Sequence, residues 1–236
     1  TLALLVQRES DIESFISKPF YVPEITCGGF TASGEKMTER SEAEKIRMDC
    51  DHNSAFVRSV EKQVKTIQPP RLYDLTTLQR ECNRIYGYTA KQTLDLAQAL
   101  YEKRLLTYPR TDSRYITTDV ADTLKERLKA CSVGPYRKLA GSLSMRPIRK
   151  NASFVDNKKV TDHHAIIPTE QFVDLQTMTN EERKVYDLVV RRFLAVLLPA
   201  FEYDQTVFTG GLAGESFTAK GKIVKSQGWE EAYENL

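Results

Sequence analysis

The spacing of apolar residues changes at Pro69-Pro70, and this change limits the folds that are open to the chain. In residues 55–67 apolar and polar residues alternate, which predicts a strand. Its candidate inward residues are Phe56, Val60, Val64 and Ile67. From residue 74 to 105 apolar residues instead recur every three or four positions, which predicts two amphipathic helices separated by Gly87. Because two successive prolines end regular structure, we expect a domain boundary at this point.

Strand and turn signals are found at both ends of the sequence. Residues 20–34 alternate around Gly28-Gly29, which predicts a hairpin, and the S-x-x-E pattern from Ser41 to Glu44 predicts a capped short helix. Residues 202–211 and 215–229 again read as strands and turns. The pattern therefore predicts an α+β protein. A β-rich domain of residues 1–68 and 200–236 would hold an inserted, mainly helical domain of residues 69–199.

The predicted helices of the insert begin at capping residues. Thr89 is expected to cap the second helix, a third should follow Thr117 or Thr118, and a capping box from Thr179 to Glu182 opens the last, which Pro199 ends. Two helices joined by a short glycine turn and followed by an irregular basic segment resemble a helix-turn-helix or winged-helix arrangement. That motif is common in helical proteins and is by itself weak evidence for DNA binding.

The sequence contains no apolar run long enough for a membrane span. The most apolar stretch, residues 193–201, is interrupted by Pro199, so we expect no membrane-spanning helix. The first residues lack the features of a signal peptide and read as the end of a helix within a longer polypeptide. The four cysteines are scattered without a C-x-x-C pair, which favours a reduced, cytoplasmic protein over a disulfide or zinc framework.

Residues 105–115, "LLTYPRTDSRY", carry the first candidate for chemistry. A phenol, a fixed cation and short polar side chains stand within six residues of one another: Tyr108, Arg110, Thr111, Asp112 and Ser113. A tyrosine hydroxyl is a nucleophile near neutral pH only if a base or positive charge activates it, and Arg110 can supply that charge. A guanidinium can also clamp a phosphate oxygen through two hydrogen bonds. The set therefore favours phosphate chemistry, although Tyr-Pro-Arg also occurs in ordinary loops.

Residues 160–170 contain the adjacent pair His163 and His164. Neighbouring residues point in different directions on a helix or a strand, so we expect no shared metal. Either histidine can contact a phosphate or transfer a proton, and ordinary packing is the alternative. Asp49-Cys50-Asp51 has a spacing found in magnesium sites, but it follows a charged segment rather than an apolar strand, and we interpret it as solvated surface.

Basic residues are concentrated in residues 136–159. The net charge of the chain is only +2, but this segment holds seven basic residues and one acidic residue. Such a run is typical of a solvated loop or of a surface that follows phosphates. Arg149 and Lys150 are its candidate phosphate contacts.

Taken together, these stretches resemble the type IA DNA topoisomerases, and topoisomerase III more closely than the relaxing bacterial enzyme. The resemblance extends over nearly the whole chain. It rests on the order and wording of "TLALLVQRESDIESF", "PPRLYDLTTLQRECNRIYGYTAKQTLDLAQALYEKRLLTYPRTDSRY", "TDHHAIIPT" and "FTAKGKIVKSQGWEEAY".

The resemblance implies a role for each candidate. Tyr108 would attack a phosphodiester of single-stranded DNA and form a 5'-phosphotyrosyl bond, Arg110 would hold the scissile phosphate, and His163 would assist. The remaining candidates would contact DNA: Thr111, Asp112, Ser113, Arg114, His164, Arg149 and Lys150.

The resemblance also implies what else is needed for activity. The β-rich domain would be the arch, or gate, of the enzyme, and the Toprim domain that binds Mg²⁺ is not recognised in this sequence. We therefore expect Mg²⁺ in the intact enzyme but none bound to this chain, which would be a fragment inactive in relaxation by itself. Its expected partners are single-stranded DNA and the remaining domains of the same polypeptide in the bacterial cytoplasm, at the nucleoid.

Two other classes of protein stay open at this point. Tyrosine recombinases and type IB topoisomerases also use tyrosine and arginine on a phosphate, but their tyrosine follows the arginine and histidine, whereas Tyr108 precedes His163. They also join the 3' end of DNA. The second alternative is a non-catalytic winged-helix module that binds nucleic acid, in which Tyr108 is a packing residue.

Overall fold

The computed structural model describes residues 1–51, 53–148 and 150–234. The fold is α+β, as predicted, with a five-stranded antiparallel sheet in the order β1-β2-β5-β4-β3. The strands are β1 Glu24–Cys27, β2 Phe30–Ser33, β3 Phe56–Ile67, β4 Phe201–Leu212 and β5 Glu215–Ser226. The helices are α1 Leu2–Glu13, α2 Arg40–Cys50, α3 Leu75–Tyr86, α4 Ala90–Glu102, α5 Thr118–Asp122, α6 Leu124–Ala130, α7 Arg137–Ser144 and α8 Asn180–Val196. Within the described residues, no helix is both long and apolar enough to cross a membrane.

The chain divides into two compact units. The β-rich unit consists of Thr1–Lys65 and Tyr203–Ile223, and the helical unit consists of Thr66–Glu202 and Val224–Leu236. The last segment thus belongs to the helical unit, although the sequence suggested the β-rich domain for it. Trp229 donates from Nε1 to the carbonyl of Ile67 (2.9 Å), and the side chain of Ala232 is buried. The assignment of the β-rich unit to an arch stays a prediction.

The β-rich unit contains the predicted hairpin. β1 and β2 pair in antiparallel register around Gly28 and Gly29, whose φ angles of +54° and +98° strongly favour glycine. The predicted inward face of β3 is wrong: Phe56 is 55% exposed and Val60 61% exposed, and Val64 and Ile67 are exposed as well. β3 is one of the two edge strands of the sheet, and neither of its faces is buried. The alternation of apolar and polar residues therefore predicted the strand correctly but not a buried face.

The helix α2 forms where it was predicted but without the predicted capping box. It begins at Arg40, so Ser41 already lies inside the helix, and its N-cap residue Glu39 makes no side-chain capping hydrogen bond. Glu44 instead pairs with Arg40 one turn away (2.8 Å). The Glu44 carboxylate, which a capping box would need, thus forms a salt bridge within the helix.

The helical unit holds the larger core. In α3, Leu78 and Cys82 are fully buried, and Gly87 ends the helix in the left-handed conformation (φ +69°). The capping box of α8 is complete, because Thr179 accepts from the backbone of Glu182 and the Glu182 carboxylate accepts from the backbone of Thr179. The single helix predicted after Thr117 is two short helices, α5 and α6, that meet at Thr123.

Candidate active site

The segment that carries Tyr108 lies between α4 and α5 and has no regular structure of its own. It is held instead against residues 165–169. Thr107 donates from its backbone to the carbonyl of Ile167 (3.0 Å) and from its hydroxyl to the carbonyl of Ala165 (3.0 Å). Ala165 in turn donates to the carbonyl of Tyr115 (2.9 Å). These bonds bring together two sequence motifs that are more than fifty residues apart.

Neighbouring rings fix the orientation of the Tyr108 side chain. Its ring centroid lies 4.4 Å from that of His163, at a tilt of 48°, and 5.4 Å from that of Tyr101, which meets it edge-on at 75°. Tyr108 itself is half-buried, whereas His163 is exposed. The sequence did not identify Tyr101 as a site residue, because its helical spacing in α4 suggested core, yet it is 39% exposed.

Arg110 and His163 line a cleft of about 490 Å³ at the start of α3. The cleft is lined by Asp74, Leu75, Thr76, Arg110, Thr111, Asp112, Thr161, Asp162 and His163. Arg110 and Asp112 are exposed. The start of a helix and a guanidinium both favour an anion, although three aspartates share the cleft. One of those carboxylates, that of Asp74, is already paired.

Asp74 caps α3 and holds Arg114. Its carboxylate accepts from the backbone of Thr77 (2.6 Å) and from Nε of Arg114 (2.7 Å). Arg114 also donates to the hydroxyl of Thr77 (2.5 Å). Burial by itself would raise the pKa of Asp74, but the hydrogen bonds from Arg114 and Thr77 hold it below its usual range. The carboxylate therefore stays ionised, and its charge is balanced within the protein.

Thr111 and Ser113 are buried, and both hydroxyls donate hydrogen bonds to backbone carbonyls of residues 159–163. Thr111 donates to the carbonyl of His163 (3.0 Å) and accepts from the backbone of Ser113 (3.1 Å). Ser113 donates to the carbonyl of Lys159 (2.8 Å). These contacts set the distance between the loop and the histidine segment, so both residues position the site.

The other candidates for DNA contact lie in different surroundings. His164 is half-buried, and its Nδ1 donates to the carbonyl of Ala165 (2.8 Å). Burial, reinforced by the nearby charge of Arg127, lowers the pKa of His164, so the ring is neutral near pH 7. Lys150 pairs with Asp122 at the end of α5, outside the cleft that Arg110 lines. Arg149 lies outside the described residues.

With this geometry in view, comparisons with known proteins identify the family. A family model described as DNA topoisomerase matches residues 1–236. The chain belongs to the DNA topoisomerase family. It is 46% identical over 243 residues to DNA topoisomerase 3 of a Bacillus cereus strain, an alignment that covers 100% of this chain and 33% of the relative. It is 41% identical over 242 residues to DNA topoisomerase 3 of Bacillus subtilis strain 168, with 99% and 33% covered.

A solved structure agrees with this result at the level of the fold. Full-length topoisomerase I from Thermotoga maritima matches with a TM-score of 0.75 and 24% sequence identity, over 100% of this chain and 39% of that one. The 46% and 41% identities to DNA topoisomerase 3 confirm the resemblance to topoisomerase III. The chain spans about a third of the length of the curated relatives it matches.

The sequence did not reveal a largely buried ionic network in this topoisomerase chain. Arg192 donates from Nη2 to the Glu81 carboxylate (2.5 Å) and to the Tyr73 hydroxyl (3.1 Å). Tyr73 donates to the same carboxylate (2.5 Å), and its backbone carbonyl accepts from Ile166 (2.8 Å). Burial raises the pKa of Tyr73 far above its ordinary value, so its hydroxyl stays a donor. The network anchors the histidine segment to α3 and α8.

The Asp49-Cys50-Asp51 motif of the topoisomerase chain lies at the end of α2, in the β-rich unit, whereas the site residues belong to the helical unit. In the parts of the chain that the structure describes, no three His, Cys, Asp or Glu side chains are grouped to hold a metal. Burial, with the charge of Glu215 nearby, raises the pKa of the Cys50 thiol, which disfavours the thiolate that binds metals.

Proposed function

We propose that this chain supplies the nucleophilic tyrosine of a type IA DNA topoisomerase, which cleaves and rejoins single-stranded DNA to change its topology. The observation that carries the proposal is the contact of the Tyr108 ring with His163, which in turn lines one cleft with Arg110. The guanidinium and the imidazole thus line one cleft at the start of a helix, where an anion is favoured, and the phenol ring lies against the imidazole.

The reaction is a transesterification at phosphorus. The hydroxyl oxygen of Tyr108 attacks, a P–O bond to tyrosine forms, and the P–O bond to the 3' oxygen of the preceding nucleotide breaks. The phenol loses its proton and the departing 3' oxygen gains one. One phosphodiester replaces another, so the step needs no ATP, and the free 3' hydroxyl can reverse it after another strand has passed.

Arg110 and His163 act on the charges of that reaction. Arg110 is exposed in the cleft and can bind two non-bridging oxygens as negative charge develops on phosphorus. His163 lies against the Tyr108 ring, within reach of the same phosphate or of the proton that the phenol releases. Thr111, through its bond to the His163 carbonyl, holds the two motifs at a fixed spacing.

Mg²⁺ belongs to the intact enzyme in this proposal. Among the described residues, no three His, Cys, Asp or Glu side chains are grouped to hold the ion. We expect its ligands in a Toprim domain of the intact polypeptide, where the ion would assist phosphate binding. We also expect the enzyme to work in the bacterial cytoplasm, on chromosomal DNA at the nucleoid.

The test is a chimera in which this chain replaces the matching third of Bacillus cereus DNA topoisomerase 3. The chimera is incubated with Mg²⁺ and a single-stranded oligonucleotide labelled at either its 3' or its 5' end, and stopped with denaturant. A 5'-phosphotyrosyl bond leaves only the 3' label on the protein. Tyr108→Phe should abolish the labelled adduct, because it removes the attacking oxygen and keeps the ring.

Tyr86→Phe is the matched control, because it removes a phenol from the far end of α3. It should leave the adduct unchanged. Retention of the 5' label would instead favour the chemistry of tyrosine recombinases and type IB enzymes. An adduct that survives Tyr108→Phe, or a folded chimera that never forms one, would contradict the proposal and favour a non-catalytic binding module.

A further inference from the structure

A second cleft, of about 550 Å³, lies on the exposed side of α3. It is lined by Thr77, Arg80, Glu81, Asn83, Arg84 and Arg114. Arg80 and Arg84 are one helical turn apart and both exposed, so their guanidinium groups lie along the same side of the helix. Three arginines, one asparagine and one threonine against a single carboxylate form a lining that suits a polyanion.

The one carboxylate in this cleft is largely compensated from inside the protein. Glu81 accepts from the buried Arg192 and from Tyr73, both at 2.5 Å, whereas Arg84 approaches it only to 3.5 Å. Arg114 is held by Asp74. No hydrogen bond or ion pair of the Arg80 guanidinium is found among the described residues. Arg80 and Arg84 therefore carry most of the positive charge that the cleft offers to a ligand.

The second cleft, called the arginine cleft below, is linked by hydrogen bonds to the cleft that Arg110 and His163 line. Asp74 lines the first cleft, Thr77 and Arg114 line the second, and the three side chains are joined by hydrogen bonds. The helix α3 leads away from the first cleft, and the rise from Leu75 to Arg84 is about 14 Å at 1.5 Å per residue. That length matches roughly four nucleotides of a stacked strand at about 3.4 Å each.

We infer that Arg80 and Arg84 bind backbone phosphates of the DNA strand on the 3' side of the scissile phosphate. The inference rests on the proposed function, because attack by Tyr108 leaves the 5' end of that strand covalently joined to the unit that contains α3. In this proposal, the phosphates that follow the joined end are the ones that the arginine cleft binds. Their binding keeps the cleaved strand aligned on α3 until the 3' hydroxyl returns.

The experiment measures binding of the chain to a 5'-phosphorylated oligothymidylate of about ten nucleotides with a fluorophore at its 3' end. Fluorescence anisotropy is followed over a range of salt concentrations around 0.1 M. Each phosphate contact contributes a slope of about 0.7 to the dependence of log affinity on log salt for single strands. The double variant R80A/R84A should lower the slope by about 1.4, which corresponds to a loss of about ten- to thirtyfold near 0.1 M salt.

The matched control is K125A/K129A. Lys125 and Lys129 are also exposed, one turn apart in the helix α6 of the same unit, but line neither cleft. This variant removes the same charge and should change affinity less than about threefold. The variant R80K/R84K keeps the charge and should retain most of the affinity, which separates phosphate binding from a structural role of the guanidinium groups.

Melting curves for each variant check that the helical unit stays folded. The single variant R80Q should lower the slope of log affinity against log salt by about half as much as R80A/R84A. Two results would contradict phosphate binding by Arg80 and Arg84 if the wild-type chain binds the oligonucleotide: equal losses of affinity in both double variants, or no loss in R80A/R84A. Neither result would contradict the proposed function. Failure of the wild-type chain to bind the oligonucleotide also overturns the role of Arg80 and Arg84, whereas the proposed function is decided separately by the covalent adduct of the chimera.

Discussion

At the proposed cleavage site, the exposed guanidinium of Arg110 lines the same cleft as His163, which allows a prediction for two substitutions of Arg110. In the chimera, Arg110→Ala should lower the single-turnover cleavage rate by about 10²- to 10³-fold, the range for loss of a donor that stabilises developing charge. Arg110→Lys should recover only part of the rate, because an ammonium keeps the charge but not the two parallel donors. Lys125→Ala, a remote loss of one charge, serves as the control. Equal rates for Arg110→Ala and wild type would contradict this role.

The half-buried His164 makes the stability of the helical unit depend on pH. Burial, followed by the charge of Arg127, lowers its pKa in the folded chain, so protonation favours the unfolded state. The stabilisation is complete above its ordinary pKa of about 6.5 and is lost as the pH falls towards the folded value. Melting temperatures between about pH 7.5 and 5.5 should therefore fall more steeply in wild type than in His164→Gln. Lys125→Ala should keep the wild-type dependence, and parallel curves for wild type and His164→Gln would refute the prediction.

Single residues also mark the limit of what the sequence could predict about the site. The identities of Tyr108, Arg110 and His163 could be proposed from the motifs, because phosphate chemistry restricts the residue types. The surroundings of Thr111 and Ser113 could not, because a short hydroxyl side chain serves a phosphate or a backbone carbonyl equally well. Here the carbonyls of His163 and Lys159 accept those hydrogen bonds, and these are contacts between distant parts of the sequence.

Among the secondary-structure elements, the two predicted capping boxes offer a direct comparison. Thr179→Ala should destabilise the helical unit by about 1 kcal/mol, because it removes the side-chain acceptor for the backbone of Glu182. Ser41→Ala changes the same type of residue in the same sequence pattern, but α2 makes no such bond. It should change stability by less than about 0.5 kcal/mol. Chemical unfolding followed by circular dichroism measures both, and an equal cost would show that the caps do not differ in solution.

Helices of this chain were more predictable than strand faces for a physical reason. Caps, apolar spacing and breakers act within a few residues, and they correctly located α3, α4 and α8. The burial of a strand face depends on what covers it. β3 alternates as a half-buried strand does, but it is an edge strand, and Val60 is 61% exposed. For the same reason, the sequence predicted the β-rich domain for the residues after β5, whereas the structure places them in the helical unit. Their packing partner, α8, is distant in sequence.

At the scale of the whole molecule, the two units differ greatly in their cores. In the β-rich unit the buried cluster consists of Ala32, Leu212 and Phe217, with a few half-buried neighbours. The buried core of the helical unit extends over α3, α4, α6, α7 and α8 and includes Ala232. Because burial of apolar area supplies most of the stability of a fold, the two units should unfold at different denaturant concentrations.

The single tryptophan of the sequence makes this difference measurable. Trp229 lies in the helical unit, bonded to Ile67, so its fluorescence reports that unit, whereas circular dichroism reports both. We expect the β-rich unit to unfold first, in a transition that circular dichroism detects and fluorescence does not. The helical unit should unfold at a higher denaturant concentration, in a transition that both signals detect. Phe217→Ala, which removes a fully buried ring at a cost of about 3–5 kcal/mol, should abolish or advance only the early transition. Phe193→Ala in α8 should advance the fluorescence transition instead. Coincident transitions by both signals would mean that the units unfold as one cooperative body, because a two-state change looks the same to every probe.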